Sequence, residues 1–230
     1  MRFEPVTERT VAVGVDLGQS KDPTSLAVVE RIRQVVPQER AISLRALASG
    51  RERLADMRAE LPPERFNLRL LEQAPLGEPY PAQAIRIKRI LKRGQVAEAA
   101  PRVYMDFTGV GRPMYDIMRR EGVPNLVPVT ISFQGGGPNA AGGQTVSKLE
   151  LVSRLQALMH TGRLHMPDET AMPLAKVFRR ELLDFRVTYT PVGNATFGAR
   201  EGAHDDLILA VALAVWGLTR PEVGVWPLRI

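Results

Sequence analysis

Three places in the chain carry acids whose type and position could do chemistry: Asp16, Asp106 and the adjacent pair Asp205 and Asp206. Asp16 closes the apolar run VAVGVD at 11–16 and Asp106 closes RVYMD at 102–106, so each stands at the end of a short strand. Taken alone, an Asp after a strand serves a turn, and Asp16 would cap the segment leading to Lys21 and Asp22. Asp205 and Asp206 open a long apolar run, where one acid can satisfy the free amides of a helix start while the other must point elsewhere. If the strand at 102–106 lies beside the one at 11–16 and the last helix packs across both, all four acids converge at one sheet edge. Converging carboxylates repel each other unless hard cations lie among them, and oxygen-only ligation selects Mg²⁺ or Mn²⁺ over zinc. A pair of such ions roughly 3.5–4 Å apart activates water and stabilises the leaving oxygen in phosphodiester cleavage.

Other chemistries are closed off by composition. The 230 residues contain no cysteine, which removes disulfides, thiolate zinc sites and a cysteine nucleophile. No GxxxxGK[ST] stretch occurs, so a phosphate-cradling P-loop is absent. Thirty-one Lys and Arg exceed 25 Asp and Glu, a net charge of +6 that suits a polyanionic partner. Twenty-six of the 31 are Arg, whose planar fork matches phosphate, although GC-rich coding or a hot habitat produces the same bias. The aromatic residues, 2 Trp, 4 Tyr and 7 Phe, are few for a binder that grips single strands by stacking. The charged start MRFEPVTERT does not read as a signal peptide, and no apolar run approaches the roughly 18 residues that cross a bilayer. A soluble cytoplasmic protein with no membrane partner is expected.

The acids need a scaffold, and hydrophobic periodicity supplies one. The runs at 11–16 and 24–29, joined by LGQSKDP, predict an antiparallel hairpin in which Ala12, Gly14 and Asp16 share a face. A third strand is expected at 41–47, a helical piece near 51–60 and a short strand near 66–71. Ile87, Ile90 and Leu91 recur at helical spacing between Pro81 and Arg93, with Gly94 as the stop. Beyond the strand at 102–106, a helix from Pro113 to Gly122 carries Met114, Ile117 and Met118 on one face. LVPVTIS at 126–132 is a strand whose Pro128 suggests an edge or a bulge, and the glycine-rich 133–144 predicts a mobile loop. Ser147 and Glu150 form a capping box that opens a helix with Leu151, Leu155 and Leu158 in line. A second helix runs from about 168 to 184, a small strand pair lies around 186–198, and AHDDLILAVALAVWGLT is a helix apolar nearly all round and therefore buried. The tail from Arg220 is expected to be irregular. This order predicts one α/β domain over 1–230, with a mixed sheet of five or more strands flanked by helices and the first strand central. Sites in such sheets lie beyond the carboxyl ends of the central strands.

The segments VGVDLGQSKDPTSLAVVE, VYMDFTGVGRPMYDIMRREG and GAHDDLILAVALAVW, in that order, resemble the nuclease domain of phage large terminases, which has a ribonuclease H-like fold. SKLELVSRLQALMHTGRLHMP is similar to the stretch before that family's last acids, and the resemblance spans roughly residues 10 to 217. It implies a two-metal endonuclease that cuts concatemeric double-stranded viral DNA during genome packaging, with two Mg²⁺ or Mn²⁺ ions. By position Asp16 would be the ligand shared between metals, Asp106 the second-strand ligand, and Asp205 or Asp206 the third. His204 would orient a ligand or contact DNA, or be an ordinary loop histidine. Lys148 would approach DNA near the metals or decorate a helical turn. Arg86, Arg89 and Arg93 form a stripe that would track phosphates or serve as a solvated helix face, and the same choice holds for Arg179 and Arg180. The expected partners are the packaging ATPase, the small terminase and the portal. The chain itself is expected to be the nuclease without the ATPase, acting in the host cytoplasm. Alternatives are a Holliday-junction resolvase or transposase-like nuclease of the same fold, an actin-like ATPase suggested by DLGQSKDPTS, and a non-catalytic DNA-binding or portal-docking module.

Overall fold

Alternating apolar residues that face two separate cores set the architecture. The computed structural model describes residues 5–18, 20–36, 61–133, 136–189, 195–199 and 204–220. Strand β1 (Val6–Asp16) turns back into β2 (Ser25–Val35) in an antiparallel hairpin that pairs Asp16 with Ser25. β3 (Arg65–Gln73) adds antiparallel to β2. Helices α1 (Tyr80–Leu91) and α2 (Gly94–Glu98) lead to β4 (Arg102–Asp106), which pairs parallel with β1. Helix α3 (Gly111–Arg120) then leads to β5 (Leu126–Ser132), β6 (Gln144–Ser147) and α4 (Lys148–His160). The two-residue strand β7 (Leu164–His165), helix α5 (Leu174–Asp184), the hairpin β8 (Phe185–Tyr189) and β9 (Ala195–Ala199), and helix α6 (Asp206–Thr219) complete the described chain.

The main sheet has seven strands in the order β6-β5-β4-β1-β2-β3-β7, so β1 is its middle strand, as the sequence predicts. Val13 and Val15 face one core with Ile87, Ile90, Met114 and Met118 of α1 and α3. Ala12 faces the other, with Leu151 and Leu155 of α4, Phe178 of α5 and most of α6. Helix α6 is enclosed between the sheet and α4 and α5, and every residue from Asp206 to Trp216 is buried, which is why it is apolar all round. Among the described residues, no helix is long and apolar enough to cross a membrane.

Several local expectations change. The strand at 41–47, the helical piece at 51–60 and the tail after Arg220 fall outside the described residues. The segment 136–144 is an ordered turn built on Asn139, whose Nδ2 donates to Pro128 O (3.0 Å) and Gln144 O (3.2 Å) and whose Oδ1 accepts from Ala141 N and Gly143 N. That turn delivers β6 onto β5, so β5 is an interior strand and Pro128 is neither at an edge nor in a bulge. Helix α5 begins at Leu174, because Asp168 Oδ1 accepts from Thr170 N and Ala171 N and holds a turn before Pro173. The capping box is half formed: Ser147 Oγ accepts from Glu150 N at 3.1 Å, while the Glu150 carboxylate accepts from Trp216 Nε1 and pairs with Arg154.

Candidate metal centre

Two backbone facts bring the acids together. The parallel register that pairs Val15 with Met105 leaves the next residues, Asp16 and Asp106, side by side at the carboxyl ends of the two central strands. Helix α6 then touches β1 backbone to backbone at Gly14, where an added Cβ would lie 1.9 Å from Ala210 O and 2.8 Å from Ala214 N. Asp206 is one turn before Ala210 on the same helix face, and Asp16 is two residues after Gly14 on the same strand face, so this contact aims the two acids at each other.

The result is a cluster of like charges with few compensating partners. Asp16 is 7% exposed, and its carboxyl is held well above the ordinary range by burial, then by the charges of Asp106, Asp206 and Asp205, against Lys148. Burial also raises Asp106, which is partly offset by Thr108, whose backbone N donates to Asp106 Oδ1 at 2.8 Å. Asp206 is 8% exposed and pushed up to about 6, by burial first and next by Asp22, with His204 opposing. Its buried Oδ2 has no hydrogen-bond partner, and His204 Nδ1 stands 3.5 Å away. The same Nδ1 is 3.0 Å from Asp22 Oδ1, and Asp22, His204 and Asp206 offer ligand atoms that all lie within 4.8 Å of one another. Asp205 is separated in role from its neighbour: Lys148 Nζ donates to its Oδ2 at 2.7 Å. Two carboxylates, one of them with a buried, unpartnered oxygen, and an imidazole form a donor set that fits a hard divalent cation.

The structure therefore brings Asp16, Asp106, Asp205, Asp206, His204 and Lys148 to one edge, and it separates the arginines. Arg86 is held by Glu78 and Glu72 at 2.6 and 3.0 Å, Arg93 lies 3.8 Å from Glu72, and Arg179 pairs with Glu169 at 3.1 Å. Arg89 and Arg180 are exposed and form no ion pair among the described residues. Arg180 lines a cavity beside the cluster with Pro23, Gln73, Glu181, Asp184 and His204.

Two members of the site escape sequence reasoning. Asp22 reads as a turn residue, and the signal for it is the hairpin itself, which folds 22 back beside the end of β1. Glu181 is buried at the end of α5, where its Oε2 accepts from Leu207 N at 3.0 Å and Ile208 N at 3.2 Å. Burial raises it to about 8 against those two amides, with Asp206 and Asp205 adding to the rise. Its signal is an acid on the buried stripe Ala175, Phe178, Glu181, where a third apolar residue belongs.

No family model and no curated protein sequence matches the chain. Among solved structures, the large terminase nuclease from thermophilic phage G20c is similar with a TM-score of 0.58 at 19% identity, over 91% of this chain and 82% of that one. The fold is that of a large terminase nuclease. The magnesium-bound form of the G20c nuclease gives a TM-score of 0.59 at 20% identity, over 90% of this chain and 81% of that one. The large terminase nuclease domain of Thermus phage P74-26 gives 0.54 at 19% identity, over 90% and 78%. At identities this low the likeness shows the fold alone, a mixed sheet flanked by helices.

Proposed function

We propose that the chain is a metal-dependent DNA endonuclease of the large terminase type, cutting concatemeric double-stranded viral DNA during genome packaging. The observation that carries this is the convergence of Asp16, Asp106, Asp205 and Asp206 at one sheet edge, two of them buried and all of like charge, in a terminase-nuclease fold. The G20c nuclease has been crystallised with magnesium and with cobalt bound, which supports a divalent cation in this centre as well.

Two Mg²⁺ or Mn²⁺ ions would be held by Asp16 with Asp106 and by Asp206 with Asp22 and His204, Asp16 being shared. Asp206 is assigned ahead of Asp205 because its buried oxygen lacks a partner while Asp205 is engaged by Lys148. Such ions supply water activation and stabilisation of the leaving oxygen. Lys148 holds Asp205 in place and offsets the charge of Asp16 and Asp106. Arg180 offers its guanidinium to a substrate phosphate beside the centre, and the basic surface holds the duplex backbone with weak sequence preference. The packaging ATPase, small terminase and portal are the partners this role implies, in the host cytoplasm.

Substrate choice tests the proposal. Purified chain with Mn²⁺ should cut linear and supercoiled duplex without requiring a branch. Cleavage confined to four-way junctions would assign it to a resolvase instead, and DNA binding without cleavage to a docking module.

A further inference from the structure

The start of a helix leaves four backbone N–H groups without partners, and the N-cap residue ordinarily lends its side-chain oxygen to the second and third helical residues. In α6 the N-cap is Asp205 and those residues are Leu207 and Ile208, yet Asp205 makes no side-chain cap. Its carboxylate is turned to Lys148 Nζ, 2.7 Å away. Both amides are taken instead by a single oxygen of Glu181, 26 and 27 residues earlier in the chain, at 3.0 and 3.2 Å. Leu207 and Ile208 are 0% and 1% exposed, so solvent offers no alternative acceptor.

We infer that Glu181 is a positioning residue of the metal centre: it caps α6 from another helix and thereby leaves Asp205 to pair with Lys148 and Asp206 to face cations. The inference rests on the metal centre proposed above. A helix opening with two acids has one local use for the first of them, as its own cap. Glu181 takes over that use. The same bonds fasten the end of α5 to the beginning of α6, and the Gly14 contact fixes the next turn of α6 against β1. Remove the acceptor and the orphaned amides recruit the nearest one, the Asp205 carboxylate, which then swings from Lys148 into its own helix. Asp206, the next residue, shifts with it.

Substitutions at 181 separate cap from charge. Glu181→Gln keeps an acceptor for both amides, and Glu181→Leu removes it in similar volume. The readout is Mn²⁺ affinity of the full chain by titration calorimetry, beside kcat and KM on supercoiled plasmid. Glu181→Gln should bind Mn²⁺ within about threefold of wild type, whereas Glu181→Leu should bind at least about tenfold more weakly, with kcat falling and KM for DNA unchanged. Leucine-variant affinity equal to wild type, with only a lowered Tm, overturns the assignment. If Glu181→Leu does not fold, Glu181→Gln decides: a tenfold loss in that variant, which keeps the acceptor for both amides, overturns the cap role. Wild type that binds no Mn²⁺ overturns the metal centre itself, an outcome distinct from the other two.

Discussion

Raising the pH from 5 to 8 in EDTA should destabilise the fold, and a divalent cation should reverse the loss. Asp206 keeps its proton to about 6 and Glu181 to about 8, whereas in the unfolded chain both release it near the ordinary carboxylate values of about 4. The native state therefore binds more protons than the unfolded state across this range, and stability falls as pH rises. The contribution is complete below the unfolded values and disappears as pH climbs through about 6 and then about 8. Between pH 5 and 8 that amounts to roughly 1 kcal/mol for Asp206 and roughly 3 kcal/mol for Glu181. The two are neighbours in one cluster and do not add, so the expected loss is roughly 3 kcal/mol, or roughly 6–12 °C in Tm for a domain of this size. Glu30 and Glu78, held low chiefly by Asn67 and Arg69 and by Arg86, act in the opposite sense only below the ordinary Glu value of 4.5, outside the window. Mn²⁺ at 100 times its Kd adds about 2.7 kcal/mol at pH 8, and less at pH 5 where protons compete for the ligands. Thermal melts in EDTA and in Mn²⁺ at both pH values measure all four states. A Tm in EDTA that is flat or rises from pH 5 to 8, or an equal Mn²⁺ shift at both, would rule out this proton linkage.

Other substitutions probe the scaffold and the DNA surface. Gly14→Ala puts a methyl 1.9 Å from Ala210 O, so α6 must retreat by about 1.5 Å to reach ordinary contact; a loss of roughly 1–3 kcal/mol and at least tenfold in metal-dependent nicking is expected, and wild-type nicking would contradict it. Arg180→Ala should weaken duplex binding and lower the salt slope by about one, measured by fluorescence anisotropy at several salt concentrations. Arg86→Ala should leave DNA affinity unchanged while costing roughly 1 kcal/mol, because its guanidinium is committed to Glu72 and Glu78. Raising salt from about 50 to 200 mM should weaken duplex binding steeply, and a flat response would remove the arginines from the interface.

What could be read from the sequence depended on how locally each interaction is encoded. The strand-end positions of Asp16 and Asp106 follow from the apolar runs that precede them, although either acid alone reads as a turn residue, and the face shared by Ala12, Gly14 and Asp16 follows from the period of a strand. The tandem acids at the head of a buried helix are visible for the same reason, although which one stays unpartnered depends on Lys148, 57 residues away. Glu181 stayed hidden because it serves the backbone of a helix 26 residues later, a relation with no sequence pattern of its own. Arg86 looked like part of a basic stripe because its partner Glu72 lies on β3, which only the tertiary fold sets beside α1. The glycine-rich segment looked featureless because its order comes from one side chain, Asn139, bonding across to β5.

Supercoiled plasmid incubated with the purified chain in Mg²⁺, Mn²⁺ or EDTA, beside Asp16→Asn and Asp106→Asn, decides whether the acidic centre cuts DNA. Nicking and linearisation are expected with either metal, none in EDTA, and at least a hundredfold loss in both variants with folding preserved. Cleavage that persists in EDTA or in either variant, or a wild type that binds Mn²⁺ and DNA yet never cuts, would contradict a metal-dependent endonuclease at this centre.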